Sequence, residues 1–162
     1  MIEPIRKLVV VPCDAATAFK IFAQQTSSWW PLEHHSVTAG QHGKPAKSVT
    51  IEPTVGGKIF ETTPEGQEVQ WGSVTAYEPG QVLRFLWHIM EPVENATEVE
   101  VTFRENGRKE TEVVLEHRNW HKLGERGQDS RDHYNGGWVR VFEERFAGAC
   151  NDIDAGKATG TS

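Results

Sequence analysis

Long apolar runs, positive charge and cysteine are all scarce in this chain of 162 residues. No stretch approaches the roughly 18 consecutive apolar residues of a membrane helix, and the first residues lack the basic-then-apolar pattern of a signal peptide. The 17 Lys and Arg are outnumbered by 23 Asp and Glu, so the net charge of −6 offers no basic field for nucleic acid or anionic lipid. We therefore expect a cytoplasmic protein without nucleic-acid binding or membrane insertion.

Motifs for metal, cofactor and covalent chemistry are also missing. Cys13 and Cys150 form neither a CxxC pair nor a disulfide framework, which predicts two reduced thiols. His117 and His121 have zinc-like spacing only on a helix, whereas this segment reads as a strand running into a loop, so no metal site is predicted. There is no nucleophile elbow, no recognisable Cys-His arrangement and no phosphate-binding glycine loop. The sequence thus predicts no cofactor and does not favour an enzyme.

Tryptophan is the residue present in excess, with six in the chain. A hydrophobic share of 37% is typical of a globular domain, and the length fits one domain. We place that domain at residues 1–149. The small, polar residues after it predict a frayed or disordered tail over residues 150–162.

The first third of the chain predicts a strand followed by two short helices. Residues 5–11 are rich in β-branched side chains, as in a strand. Asp14 is a suitable N-cap for an amphipathic helix over residues 15–24, and residues 27–31 read as a further helical turn ended by proline. The polar segment that continues to Lys47 is predicted to be an exposed loop.

Strand signals separated by Pro and Gly turns follow. The predicted strands are residues 49–54, 58–63, 69–77, 82–90, 97–103 and 111–117. In the last two, apolar and polar residues alternate, as in an antiparallel sheet with one solvated face. With the first strand they predict a curved antiparallel sheet of six to seven strands.

A long helix over residues 131–147 closes the pattern. Its predicted stripe consists of Tyr134, Trp138, Val141, Phe142, Arg145, Phe146 and Ala149. Only the inner face of the sheet remains to bury that stripe. The fold class is therefore α+β, with the sheet wrapped around one long C-terminal helix.

Several segments carry a family resemblance across about residues 5–146. They are Trp29-Trp30-Pro31, Ile51-Glu52-Pro53-Thr54-Val55-Gly56-Gly57, Trp71-Gly72-Ser73-Val74, Leu115-Glu116-His117-Arg118 and Tyr134-Asn135-Gly136-Gly137-Trp138. In this order they resemble the SRPBCC (START-like, Bet v 1-like) superfamily, and within it the activator-of-Hsp90-ATPase homologue-like group. The resemblance implies a helix-grip fold enclosing an apolar cavity. It implies little about chemistry, because carriers, cyclases and proteins without known activity share this fold.

The leading functional hypothesis is a protein that binds a small hydrophobic or amphipathic molecule in that cavity. Gly136 and Gly137 each cost a helix about 1 kcal/mol, so they either make room for a ligand or allow close helix packing. Pockets are lined mainly by aromatic and apolar side chains. The predicted cavity residues are Phe60, Trp71, Phe85, Trp87, Gly137, Trp138 and Phe142, with Trp29 and Trp30 at a rim.

Two alternatives stand beside this hypothesis. The first is a cyclase, isomerase or hydrolase that uses Glu52, Glu116 or His117 for proton transfer in the cavity. The second is a protein-interaction domain for an Hsp90-type chaperone, which predicts an exposed apolar patch near Trp29 and Trp30 or in the loop to Lys47. A homodimer through the same patch is a variant of the second alternative.

Overall fold

The computed structural model describes residues 2–158, with side chains through residue 152. Seven antiparallel strands form one sheet in the order β1-β7-β6-β5-β4-β3-β2. The strands are β1 Ile5–Val11, β2 Ser48–Ile51, β3 Lys58–Thr62, β4 Glu68–Glu78, β5 Val82–Trp87, β6 Thr97–Glu105 and β7 Thr111–Arg118. The predicted α+β sheet is confirmed, and because its strands alternate inward and outward, one face is left for the helices.

Three short helices connect the first strand to the second. They are α1 Ala15–Gln24, α2 Thr26–Trp29 and α3 Val37–His42. Asp14 caps α1 as predicted, since its Oδ1 accepts a hydrogen bond from the Thr17 N–H at 2.7 Å. Helix α3 corrects the prediction of an exposed loop up to Lys47. It has no apolar stripe and is held by caps: the Ser36 hydroxyl accepts from the Ala39 N–H at 3.0 Å, and Gly43 ends it with a φ of +66°.

The C-terminal helix is longer than predicted and changes its winding along its length. A 3-10 segment Trp120–Arg126 leads into α4 Gly127–Trp138, a π-helical stretch Val139–Phe146 and α5 Ala147–Ala158. Phe142 and Phe146 of the predicted stripe are fully buried. Arg145 is not: it is exposed and donates to Glu33 Oε1 at 2.7 Å, because the wider π turns rotate it off the apolar stripe.

The predicted C-terminal tail is partly helix. Helix α5 continues to Ala158, and Cys150, the first residue of the predicted tail, is fully buried. The Cys150 thiol contacts the Cys13 thiol without forming a disulfide, and that hydrogen bond together with burial raises the pKa of Cys150. This contact attaches the C-terminal helix to the segment just after β1. The packed structure therefore continues beyond residue 149. Residues 159–162 of the predicted tail lie outside the described residues.

One core joins the helices to the inner face of the sheet. Phe22 of α1 packs against Phe146, Phe103 and Phe142 at ring-centroid distances of 5.2, 6.4 and 6.5 Å. Such aromatic pairs contribute about 0.5–1.5 kcal/mol each beyond their buried area. Among the described residues, no helix is long and apolar enough to span a bilayer. The same core extends to Trp30, Trp87 and Trp138 near the end of β5.

Candidate functional site: an aromatic cavity beside the C-terminal helix

A cavity of about 330 Å³ lies between the segment 34–41, the end of β5 and the C-terminal helix. Ligand pockets begin at about 300 Å³, so the space suits a small molecule. Its floor is buried and aromatic, formed by Trp30, Trp87 and Trp138. Its rim is exposed and largely polar, formed by His34, Gln41, Met90 and His133. This arrangement suits a ligand whose apolar body lies on the floor and whose polar group lies at the rim.

Five tryptophans form one continuous cluster below and around the cavity. Trp30 is its centre, with ring centroids 5.7 Å from Trp29, 5.2 Å from Trp71, 6.2 Å from Trp87 and 6.0 Å from Trp138. The sequence placed Trp29 and Trp30 in a separate group; the structure corrects this, because α2 folds back onto the sheet. The cavity floor is therefore rigidly supported.

Most indole N–H groups in the protein donate a hydrogen bond. Trp29, Trp30 and Trp120 donate to backbone carbonyls at 2.7–2.9 Å. Trp71 donates to a carboxylate at 2.8 Å. The Trp87 N–H is buried and makes no hydrogen bond of ordinary geometry. It lies beside the Tyr134 phenol, whose pKa is raised by burial and lowered in part by the Trp87 indole.

The indole of Trp138 holds His117 in one neutral tautomer. Trp138 Nε1 donates to His117 Nδ1 at 3.0 Å, and because an indole nitrogen is only a donor, the His117 proton sits on Nε2. His117 Nε2 is 2.7 Å from the Thr97 hydroxyl and donates to it. Thr97 in turn donates to the Trp87 carbonyl at 3.3 Å. Burial lowers the pKa of His117 to about 3.

His117 is consequently a structural residue that orients Trp138 and not an acid or base for the cavity. Both of its ring nitrogens are occupied, it is fully buried, and the Trp120 ring covers it at 4.1 Å. It does not line the cavity. The hydrogen-bonded chain runs from the helix through His117 and Thr97 to β5, and so it fixes two of the three floor tryptophans relative to each other.

Glu61 is the functional residue that the sequence did not reveal. Its buried carboxylate accepts hydrogen bonds from the N–H groups of Val37 and Thr38 at 2.6 and 2.9 Å, from the Thr38 hydroxyl at 2.6 Å and from the Trp71 indole at 2.8 Å. A buried charge needs such complete pairing. Glu61 thereby fastens the segment 34–41, one wall of the cavity, to the sheet. Its only sequence signal is a carboxylate at an inward position of β3, between Phe60 and Thr62.

The loop at the end of β5 forms the opposite lip. Met90 is exposed and adopts a φ of +58°. This left-handed conformation is energetically unfavourable for a residue that has a side chain. The next residue, Glu91, accepts two hydrogen bonds from Arg126 at 2.7 and 2.8 Å. This bidentate pair attaches the loop to the start of the C-terminal helix, and it holds Met90 at the cavity mouth.

The structure brings together some of the predicted cavity residues. Trp87, Gly137 and Trp138 line the cavity, and Trp30 lies in its floor instead of at a separate rim. A Cβ built on Gly137 would meet only the His35 ring, at 3.6 Å, whereas Gly136 is exposed and has nothing within 4 Å. The missing side chain of Gly137 therefore leaves space in the cavity.

The other predicted cavity residues lie elsewhere. Trp71, Phe85 and Phe142 are buried behind the floor, and Trp29 belongs to the core beneath it. Phe60 is on the outer face of β3, where the Lys58 ammonium sits 5.7 Å from its ring centroid. The cause is strand alternation: Glu61 points inward, so Phe60 points outward.

The predicted catalytic residues do not meet. Glu52 accepts a hydrogen bond from the Lys58 N–H at 2.6 Å in the turn between β2 and β3. Glu116 lies on the outer face of β7 and pairs with Arg118 at 3.1 Å. Neither lines the cavity, and His117 is enclosed beneath it. The proposed proton transfer by Glu52, Glu116 or His117 therefore has no common site.

The predicted interaction patch is not found at Trp29 and Trp30. Trp29 and Trp30 are only 3% and 9% exposed, because α2 packs them against the core. They cannot present an apolar surface to a chaperone or to a second copy of the chain. Within residues 2–152, no group of three or more His, Cys, Asp or Glu side chains is placed to hold a metal ion.

Solved structures with the same architecture cover nearly the whole chain. The synthase Txn09, described as an anthrahydroquino-gamma-pyrone synthase in complex with SUM, is 29% identical over 91% of this chain and 96% of its own, with a TM-score of 0.63. CalC from Micromonospora echinospora, a self-sacrificing resistance protein, is 25% identical over 93% and 95%, with a TM-score of 0.65. A protein from Arthrobacter aurescens shares the fold at 18% identity over 92% and 86%, with a TM-score of 0.64. No curated protein matches the chain significantly.

The family follows from the sequence of the whole domain. The family model described as Activator of Hsp90 ATPase homolog 1-like protein matches residues 14–150, which include every wall of the cavity. This match and the helix-grip architecture confirm the resemblance seen in the sequence motifs. The chain belongs to the Activator of Hsp90 ATPase homolog 1-like family of the SRPBCC superfamily.

Proposed function

We propose that this protein binds a small molecule with an aromatic or otherwise apolar body in the cavity beside the C-terminal helix. The observation that carries the proposal is the 330 Å³ space floored by Trp30, Trp87 and Trp138. Burying an apolar ligand there contributes about 25 cal/mol for each Å² removed from water.

One similar protein supports an aromatic ligand. Txn09 is named for an anthrahydroquino-gamma-pyrone, which by its chemical name contains fused rings, and its structure holds a bound molecule. That name belongs to Txn09, but it is consistent with a cavity of this fold that accepts an aromatic molecule. A rigid aromatic floor favours flat ligands because few side chains must be ordered on binding.

A pair of glycine variants tests the proposal. Gly137→Leu fills the cavity, whereas Gly136→Leu makes the same change one residue away on the exposed side of the helix. Tryptophan fluorescence is titrated with a panel of naphthalene- and anthraquinone-based compounds and a medium-chain fatty acid. We expect saturable quenching in the unmodified protein and in Gly136→Leu, and at least about tenfold weaker binding in Gly137→Leu, the equivalent of 1.4 kcal/mol.

Two results would overturn the proposal. One is the absence of saturable binding for every compound in the panel. The other is equal affinity in Gly136→Leu and Gly137→Leu, which would place the binding outside the cavity. Native mass spectrometry of protein purified under mild conditions complements the titration, because a retained ligand appears there as an added mass.

A further inference from the structure

The rim of the cavity differs in charge from the rest of the protein. The chain carries a net charge of −6, yet none of the fifteen residues that line the cavity is Asp or Glu. Three of them are histidines: His34, His35 and His133. They come from two separate elements, the segment 34–41 and α4. The tertiary structure therefore gathers almost half of the seven histidines at one opening.

Two acidic side chains that are sequence neighbours of the rim histidines are already paired. Glu33, beside His34, accepts a hydrogen bond from Arg145 at 2.7 Å. Asp132, beside His133, accepts from Gln128 at 3.0 Å and lies 3.6 Å from Arg131. Their negative charge is thus partly neutralised before any ligand arrives.

Glu91, beyond the opposite lip of the mouth, is held by both terminal nitrogens of Arg126. Across the part of the chain whose side chains are described, no carboxylate forms an ion pair with Arg140, which acts on His35 through its charge. Arg140 therefore contributes a positive charge near the mouth that no ion pair offsets.

Most of the groups around His35 act on its pKa in the same direction. Burial, Arg140, His34 and His133 lower the pKa of His35, and only Glu33 opposes them. A positive charge at this position is disfavoured because its surroundings are already apolar and positive. An anion bound at the mouth would relieve that repulsion and accept hydrogen bonds from the imidazole N–H groups.

We propose that the cavity selects ligands that join an aromatic body to an anionic oxygen group, such as a carboxylate, sulfonate or acidic enolate, and that His34, His35 and His133 hold this group at the rim. The proposal rests on the proposed function, since the aromatic floor must first accept the body of the ligand. It adds a preference for charge that the floor alone does not provide. The polar end lies outward because the rim, unlike the floor, is exposed.

A matched pair of fluorescent probes isolates the anionic group. N-phenyl-1-naphthylamine is neutral, and 8-anilinonaphthalene-1-sulfonate is the same molecule with an added sulfonate. At pH 6 we expect the sulfonate probe to bind about tenfold more tightly than the neutral probe, the size of one hydrogen bond to a charged group.

A double variant, His34→Gln with His133→Gln, locates the effect. Both side chains are exposed, so the substitution leaves the core intact. We expect it to weaken the sulfonate probe about tenfold at pH 6 and to leave the neutral probe unchanged. His42→Gln and His121→Gln, at exposed positions that do not line the cavity, serve as controls and should behave like the unmodified protein.

The outcomes separate the two proposals. If both probes bind equally at pH 6, or if the control variants weaken the sulfonate probe as much as the double variant does, the anionic preference is refuted while the binding function stands. If neither probe binds in the cavity, the aromatic floor does not accept the shared ring system, and both proposals fail.

Discussion

The neutral, fully buried His117 should make the stability of this protein depend strongly on pH. In the unfolded chain a histidine has a pKa of about 6.5, whereas burial lowers the pKa of His117 in the folded protein to about 3. Below pH 6.5 the unfolded state therefore binds a proton that the folded state does not. Stability is complete above pH 6.5 and is lost as the pH falls from 6.5 towards 3.

The size of this loss follows from the pKa difference. Each pH unit below 6.5 costs about 1.4 kcal/mol, so His117 alone should lower the free energy of unfolding by about 2 kcal/mol at pH 5. Protonation would also require Nδ1 to give up the hydrogen bond from the Trp138 indole, since a protonated nitrogen cannot accept it. The floor of the cavity and the folded state should thus weaken together.

Urea unfolding at pH 7, 6 and 5 measures the effect by comparison with His117→Gln. Glutamine offers a carbonyl to Trp138 and an amide to Thr97, but it does not titrate. The variant will be less stable than the unmodified protein at pH 7. Between pH 7 and pH 5, however, its free energy of unfolding should fall by about 2 kcal/mol less than that of the unmodified protein. His121→Gln, at an exposed position, removes a histidine without touching the hydrogen bonds of His117 and serves as the control. Parallel stability curves for the unmodified protein and His117→Gln would refute the reasoning.

Two further predictions concern stability and are tested by the same urea titrations. Gly72→Ala should lower the free energy of unfolding by about 3 kcal/mol or more, because its Cβ would lie 2.0 Å from the Leu86 carbonyl oxygen, whereas Gly136→Ala should raise it by about 1 kcal/mol. Equal midpoints would contradict the assigned packing. Glu61→Ala should cost at least about 3 kcal/mol by leaving two backbone N–H groups, a hydroxyl and an indole without their acceptor. The exposed Glu65→Ala should cost nothing measurable, and a similar loss in both would show that Glu61 does not anchor the wall.

The elements that were predicted correctly are those whose sequence pattern lies within the element itself. Strands β6 and β7 show clean alternation, and α1 combines a capping Asp14 with apolar residues at helical spacing. Helix α3 has no such pattern, since its hold on the sheet comes from Glu61, 23 residues away from Thr38. A short stretch of sequence does not reveal a helix that is stabilised by a carboxylate far away in the chain.

The cavity residues were predicted less well for a related reason. Composition shows that aromatic rings are abundant, but it does not show which ring faces an opening. Phe60 was placed inside because it is apolar, whereas the register of β3 turns it outward and points Glu61 inward. A shift of one position in a strand moves a side chain to the opposite face. The rim histidines were missed because the segment 34–41 and α4 line one cavity only in the folded chain.

The sequence by itself determined the antiparallel sheet, the long C-terminal helix and the family, because periodicity and motif order are local properties that survive without coordinates. The tertiary structure decided the rest. It buried Trp29 and Trp30, locked His117 as a neutral acceptor for Trp138, and assembled a rim of three histidines over an aromatic floor. These outcomes depend on which distant donors, acceptors and rings come into contact, and only the packing of the sheet against its helices fixes those contacts.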